Sequence, residues 1–549
     1  MHRRAWAPFL FVLVVMAGCA RCGKDAASPG GATTGVARRL PRDAQAAVVI
    51  NDLGSLGEKL ARFQNLKVAS FLAQLQNASS AEGYVSAVMR QVGVDLRSRQ
   101  AMEAAGIDPK RGAGAAFLGE NSVVSVLGVK EREVLQRTFG GFARSRLGAT
   151  EDKESKVEGG TLVTFGRAGA QPLLGILFLE RESLALLGAG PSIKRLPELA
   201  AMAEDRSLAH EPVLAASLAR LPAERDFHVW LPGGGGLVPA GTVQGVTLTG
   251  RVDERAVTVR ADAPWPDSEA ALTALDPKDT PGLVGFLPAD SFLVARFRGD
   301  PARLDGVWPY LVGPQVTRAV QQAGFDMKTE LLDNLKPGMV LGLSLAPNVN
   351  LGAGMPDLDL RRTNPFRFVH LVALSEAKDA ERAKATLDKV PGIAGGFGAK
   401  VEPTDVQGQR LYLTSYRAGE GAHFALGPAG KLVLAAPRAR LEGTLAALGR
   451  AGGEGPVAAD LRDAGANAAL TVVLDLRRLS EAVKALPSEA WGIGGFAIKA
   501  TTVRWLDATD DLRAVTLALS RKEKALQAEV SLRLTPAPTA STTTSPATP

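Results

Sequence analysis

Two stretches far apart in the chain begin alike. "LPRDAQAAVVINDLGSL" from Leu40 and "LPADSFLVARFRGDPARL" from Leu287 both run Leu-Pro-x-Asp, then an apolar strand pattern, then a polar turn into a helix. Three landmarks keep one separation of about 248 residues, pairing Leu40 with Leu287, Val157 with Val406 and Leu184 with Leu432. A fourth, Ala-Gly-apolar-Asp at Gly106 and Gly324, sits about 30 residues closer, which predicts a shorter first helical section in the second copy. Unrelated sequence rarely holds a spacing over such distances. The chain is therefore expected to carry two tandem modules, 39–275 and 286–535, with a linker at 276–285 where "DPKDTPG" interrupts both helix and strand patterns.

Each module closes on alternating residues. Leu526, Ala528, Val530, Leu532 and Leu534 are apolar while Gln527, Glu529, Ser531 and Arg533 are polar, the period-two pattern of a sheet with one wet face. "VTLTGRVDERAVTVRAD", Val246 to Asp262, reads as the counterpart hairpin with a turn near Asp253 and Glu254. Helical patterns lie between, as in "SEAKDAERAKATLDKV", where Ser375 is the expected N-cap and Ala380, Ala383 and Leu387 share a face. Strands and helices come in clusters without regular βαβ alternation, so the expected fold class is α+β, with mainly antiparallel sheet and flanking helices.

The N-terminus sets the expected address. The apolar run from Phe9 to Ala17 would rise about 14 Å as a helix, half a bilayer core, and is too short to span it. His2, Arg3 and Arg4 form a basic n-region before it, and Met16, Ala17 and Gly18 supply small or unbranched residues before Cys19. This pattern resembles the lipobox of bacterial lipoproteins, with Met16 where that family prefers Leu. The resemblance implies an 18-residue signal peptide (1–18), cleavage before Cys19, and a diacylglyceryl thioether and acylated amine on that cysteine. Several chains make a stable tether where one binds only reversibly. Ala20 follows, where Asp would imply retention in the inner membrane, so the resemblance implies the outer membrane, on its periplasmic or surface face. Cys22 then has no intramolecular disulfide partner. Residues 19–38 are too rich in Gly, Ser and Thr to bury a core and read as a flexible tether, and 536–549 reads as a disordered tail.

The modules also resemble a widespread group of secreted bacterial domains of unknown function that open with Leu-Pro-x-Asp-Ser/Thr and a strand. That resemblance covers roughly Leu40 to Leu534 and brings no active site with it.

Chemistry is sparse in the pattern. The formal charge of +7 is spread over 64 basic and 57 acidic residues without a run of five like charges, so no nucleic-acid stripe is expected. His210, His228, His370 and His423 are isolated and give no zinc-ligand spacing. "SEAK" at Ser375 matches S-x-x-K, but the companion S-D-N and K-T-G elements are absent and a helix cap explains it. "GLSLA" at Gly342 is one residue short of a nucleophile elbow, and "PGGGGLVPAG" at Pro232 reads as a hairpin loop in place of an anion cradle.

The expectation is a non-catalytic, lipid-anchored envelope scaffold or binding protein, without a cofactor or metal. Its partners would be the membrane, through Cys19, and another envelope protein or an apolar ligand. Two alternatives stand beside it: a carrier or sensor of amphiphiles, which a deep apolar groove would favour, and a hydrolase whose serine, histidine and carboxylate converge from remote positions.

Overall fold

The computed structural model describes residues 35–535 apart from 76–79, 120–121, 236–242, 266–271, 305–319, 350–364, 396–398, 417–418, 451–456, 462–466, 493–494 and the single positions 254, 279, 281, 323, 348, 407, 458 and 460. The stretch read as a signal peptide, Cys19, Cys22 and residues 536–549 lie outside the described residues. Val36 and Ala37, at the end of the stretch read as a tether, are already packed against Leu40 and Trp230.

The first half contributes β1 (Ala46–Ile50), β2 (Ala113–Phe117), β3 (Val123–Gly128), β4 (Glu151–Val157), β5 (Gly160–Gly166), β6 (Leu174–Leu179), β7 (Leu184–Ala189), β8 (Phe227–Pro232), β9 (Gly245–Val252) and β10 (Ala256–Pro264). Their ladders are antiparallel and order them β4-β5-β6-β7-β3-β2-β1-β8-β9-β10. The second half contributes β11 (Leu293–Phe297), β12 (Met339–Leu345), β13 (Val369–Glu376), β14 (Ala399–Val406), β15 (Gln409–Tyr416), β16 (Gly419–Glu420), β17 (His423–Leu426), β18 (Lys431–Ala436), β19 (Leu470–Asp475), β20 (Leu512–Lys522) and β21 (Ala525–Leu534). Here the order is β14-β15-β17-β18-β13-β12-β11-β19-β20-β21, with the short β16 beside β15. Antiparallel pairing of β10 with β21, from Ala256 opposite Arg533 to Pro264 opposite Ala525, joins everything into one 21-stranded sheet. The fold is thus mixed helix and strand on a large antiparallel sheet. Its outer strand β4, EDKESKV, is charged and exposed, which discourages pairing with another chain.

Helices connect the strands. In the first half they are α1 (Leu53–Phe63), α2 (Lys67–Leu75), α3 (Ala81–Val92), α4 (Arg99–Ala104), α5 (Arg132–Phe142), α6 (Arg195–Ala200) and α7 (Pro212–Arg220). The second half has α8 (Ala380–Ala394), α9 (Arg438–Leu448), α10 (Leu476–Lys484) and α11 (Gly495–Ala508). Short polar side chains start several of them by accepting an orphan backbone N–H: Asp52 from Ser55, Ser80 from Gly83 and Ser98 from Ala101. Gly93 closes α3 in the left-handed conformation, where a Cβ would be strained.

Ser375 corrects the expected cap. It lies in β13, opposite Leu432 of β18, and the cap of α8 is Asp379, which accepts from the Arg382 N–H. The strand continues because a ladder partner is available, and a residue engaged there cannot also open a helix. Ala383 and Leu387 are buried on the inner side of α8, as their spacing requires, while Ala380 is exposed.

Candidate functional site

Directly opposed residues of an antiparallel ladder project to the same face, so each rung can be followed across the sheet. One row runs Val259, Val530, Leu517, Val472, Ala295, Leu341, Ala373, Leu434 over eight strands, from β10 to β18. All eight are apolar and none is buried; Val530 is 43% exposed and Leu434 36%. The neighbouring row on the opposite face, Ser531, Thr516, Val473, Val294, Gly342, Val372 and Ala435, is buried throughout.

The first row also continues the other way from Val259, and there its character changes. Gly250, Phe227, Ile50 and Ala113 follow on β9, β8, β1 and β2, and all are buried. Leu53, Leu56, Met89, Met102 and Leu135 from α1, α3, α4 and α5 share their cluster, so helices seal this face in the first half. In the second half the sealed face is the opposite one, where Leu441, Leu445 and Leu448 of α9 pack with Leu283 and Leu287 on Val294, Val340 and Val433.

Two small clusters bracket the open stretch. Leu304, Leu332 and Leu335 pack with Phe297, Met339 and Leu432 at one end of the strands. Leu486, Ala490 and Trp491 pack with Leu345, Val349 and Phe368 at the other. With strands about 4.8 Å apart, the row between β10 and β18 spans about 34 Å. The arrangement is an apolar row across the strands with a packed cluster along each of its long sides.

At the centre of the sheet the expected arrangement of one wet polar face does not hold. Val530 is the most exposed residue of β21, whereas on the polar face Ser531 is buried and Asp262 of β10 is 0% exposed, with Gln527, Glu529 and Arg533 half-buried. Burial of this carboxylate is compensated by Arg220 of α7, which donates from Nε at 3.1 Å and Nη2 at 2.7 Å, and by Gln527 at 3.1 Å. Asp262 in turn holds the Arg220 guanidinium above its usual pKa range. Polar groups can be buried here because they are paired, and the apolar alternates lie on the side that, among the described residues, helices cover only in part.

The histidines do not converge. His210 Nδ1 lies 3.2 Å from Ser207 Oγ. His228 is buried on β8 and pushed down to about 4 by that burial and by Arg225. His370 is held below its usual range by burial and by Arg440, whose Nε donates to His370 Nδ1 at 3.5 Å; Arg440 also pairs with Asp290. Ser344 is the buried neighbour of His370 across the ladder, but the cation occupies the ring nitrogen that a triad carboxylate would need. His423 Nδ1 accepts from the Thr414 N–H at 2.9 Å, so its Nε2 donates to Glu420 at 2.7 Å.

The other motif residues have structural places. Gly342 lies inside β12, where a Cβ would come within 2.7 Å of Ser291 Oγ, so this glycine allows a close approach and forms no elbow. Gly234 and Gly235 donate their N–H groups back to the Leu231 and Pro232 carbonyls, closing a turn and leaving neither amide for an anion. Among the described residues no group of three or more His, Cys, Asp or Glu could hold a metal ion, and no helix is long and apolar enough to cross a membrane. The apolar face itself was written in the alternation of β20 and β21; what sequence reasoning missed is that the described residues leave this side only partly covered.

No family model and no curated protein matches the chain. Among solved structures, the chain titled "Structure of crystal form IV of TP0453" is similar at 9% identity and a TM-score of 0.24, over 42% of this chain and 80% of that one.

Proposed function

We propose that this protein is a lipid-anchored, non-catalytic component of a bacterial cell envelope, held through Cys19, whose second half binds an elongated amphiphile on its open sheet face. The observation that carries this reading is the row from Val259 to Leu434, eight apolar side chains of which none is buried. A floor of about 34 Å exceeds the roughly 15 Å of one leaflet of bilayer hydrocarbon, so it has room for a lipid chain. An accessible face made of hydrocarbon favours an apolar ligand over a plain scaffold role.

The halves are read as two copies of one module. Supporting this are the matching strand orders and the run Val-Thr-Leu, which occupies Val246 to Leu248 on β9 and Val515 to Leu517 on β20. In this reading one copy keeps its helical cover and serves as support, while the other exposes the same face to ligand.

The test begins with solvent extraction and mass spectrometry of protein purified from its membrane, followed by titration with the apolar fluorophore N-phenyl-1-naphthylamine. Leu341→Asp and Val472→Asp should abolish the fluorescence gain without unfolding the protein. Unchanged binding in both variants sinks the ligand reading. Separately, Cys19→Ser should eliminate palmitate labelling and release the protein from membranes; unchanged labelling and fractionation would overturn the anchor.

A further inference from the structure

Four arginines line one cavity of about 440 Å³ in the first half, together with Glu182 and Glu204. A volume of that order is ordinary for a small-molecule site. The arginines come from three separate parts of the chain: Arg38 and Arg39 from the turn that leads into Leu40, Arg111 from the 3₁₀ turn Pro109–Arg111 before β2, and Arg181 from the 3₁₀ turn Glu180–Glu182 between β6 and β7.

Their bonding differs. Arg39 is engaged at all three nitrogens, through Nε to Glu182 Oε2 at 2.8 Å, through Nη2 to Glu182 Oε1, and through Nη1 to the Ala200 carbonyl at 2.9 Å, so it builds the wall. Arg111 donates from Nε to Asp108 at 3.2 Å and from Nη1 to the Glu182 carbonyl at 3.1 Å, which leaves Nη2. Arg38 meets Glu204 through Nε at 3.0 Å, which leaves both terminal nitrogens. The Arg181 side chain has no partner among the described residues, and its neighbour Glu180 is taken by Arg132 at 2.5 Å. Glu182, Glu204 and Asp108 balance three of the four cations. One charge and the unused donors of three guanidinium groups remain at the cavity.

Unused donors in a preset fork select for an oxyanion. Their arrival from three chain segments suits a tetrahedral phosphate, whose terminal oxygens point in different directions, better than a planar carboxylate. Leu184 and Met202 line the same cavity and give the organic part of a ligand an apolar wall. We propose that this cavity binds a phosphate monoester, with Arg38, Arg111 and Arg181 donating to the phosphoryl oxygens. The site involves neither the open sheet face nor acylation of Cys19. A soluble ester and a lipid headgroup offer the same chemistry. Gly35 lines the cavity, so on an anchored chain a tether of about 16 residues with a reach of about 22 Å would bring headgroups within range.

A chain starting at Ala20 keeps every described residue and carries no acyl group, so its result leaves the anchor and sheet-face readings untouched. Calorimetric titration with glycerol 3-phosphate, and flotation with phosphatidylcholine vesicles with and without phosphatidic acid, read the soluble and the lipid source separately; binding in either arm supports the site. Arg181→Gln and Arg38→Gln should each weaken that binding about tenfold, as loss of a charge-assisted hydrogen bond does. Arg137→Gln, an exposed arginine of α5 outside the cavity, should leave it unchanged. Acetate should not compete. Arg38 and Arg181 are exposed, so thermal unfolding of their variants should match the parent and verify folding. No binding in either arm, binding unaltered by both cavity variants, an equal loss in Arg137→Gln, or displacement by acetate at the concentration of the ester would each overturn the proposal.

Discussion

Arg260 donates through Nε to Glu529 Oε2 at 2.6 Å, and the two residues oppose each other on the middle rung of the ladder that joins β10 to β21. A two-fold pairing of identical strands would place a residue against its own copy at such a rung, with like charges opposed. With both strands in one chain the two positions are free to differ, and here they carry opposite charges. Glu529→Lys should lower stability by about 1 kcal/mol, since both side chains are partly solvated, and adding Arg260→Glu should restore it. Urea denaturation of the two single variants and the double variant reads the coupling, and additive effects would refute it.

The buried Asp262 should be far less forgiving. Asp262→Ala leaves Arg220 without its main partner in a nearly closed site and should cost about 3–5 kcal/mol. Adding Arg220→Met should recover much of that loss, because the stranded charge is removed along with the pair. If the single variant unfolds at the parental urea midpoint, the carboxylate is not structural.

His228 should make stability depend on acidity. Burial lowers its folded-state pKa to about 4, against an ordinary value of 6.5. The unfolded chain therefore binds the proton more readily between those values. The contribution is complete above about pH 6.5 and is lost as pH falls toward 4, by up to about 3 kcal/mol. His228→Gln should flatten this part of the profile, and an unchanged slope between pH 6.5 and 4 would exclude the residue as its source.

Adjacent rows of the sheet should respond differently to the same kind of change. Val294→Ala removes methyl groups from a buried position on the helix-covered face and should cost about 2 kcal/mol. Val530→Ala, on the open face, should cost about 0.5 kcal/mol or less. Equal losses in chemical denaturation would mean that the open face is covered in solution.

Some local structure was legible before any fold was known. Val246 to Asp262 forms a hairpin, because alternation flanks a turn-forming Asp253 that accepts from the Arg255 and Ala256 N–H groups. Gly106 and Gly324 both sit at positive φ, as a chain reversing toward a strand requires. Ser375 was misread because a cap and a strand end look alike in sequence, and β18, about 57 residues away, decided between them.

The sequence by itself determined which side chains share a face, since the period of a strand is two residues whatever surrounds it. It could not determine which face is covered. That depends on helices contributed by distant segments: α1 and α3 to α5 seal one side of the first half, while α9 seals the opposite side of the second. Burial is a property of what packs over a strand, so only the tertiary structure placed Asp262 inside and left Val530 accessible.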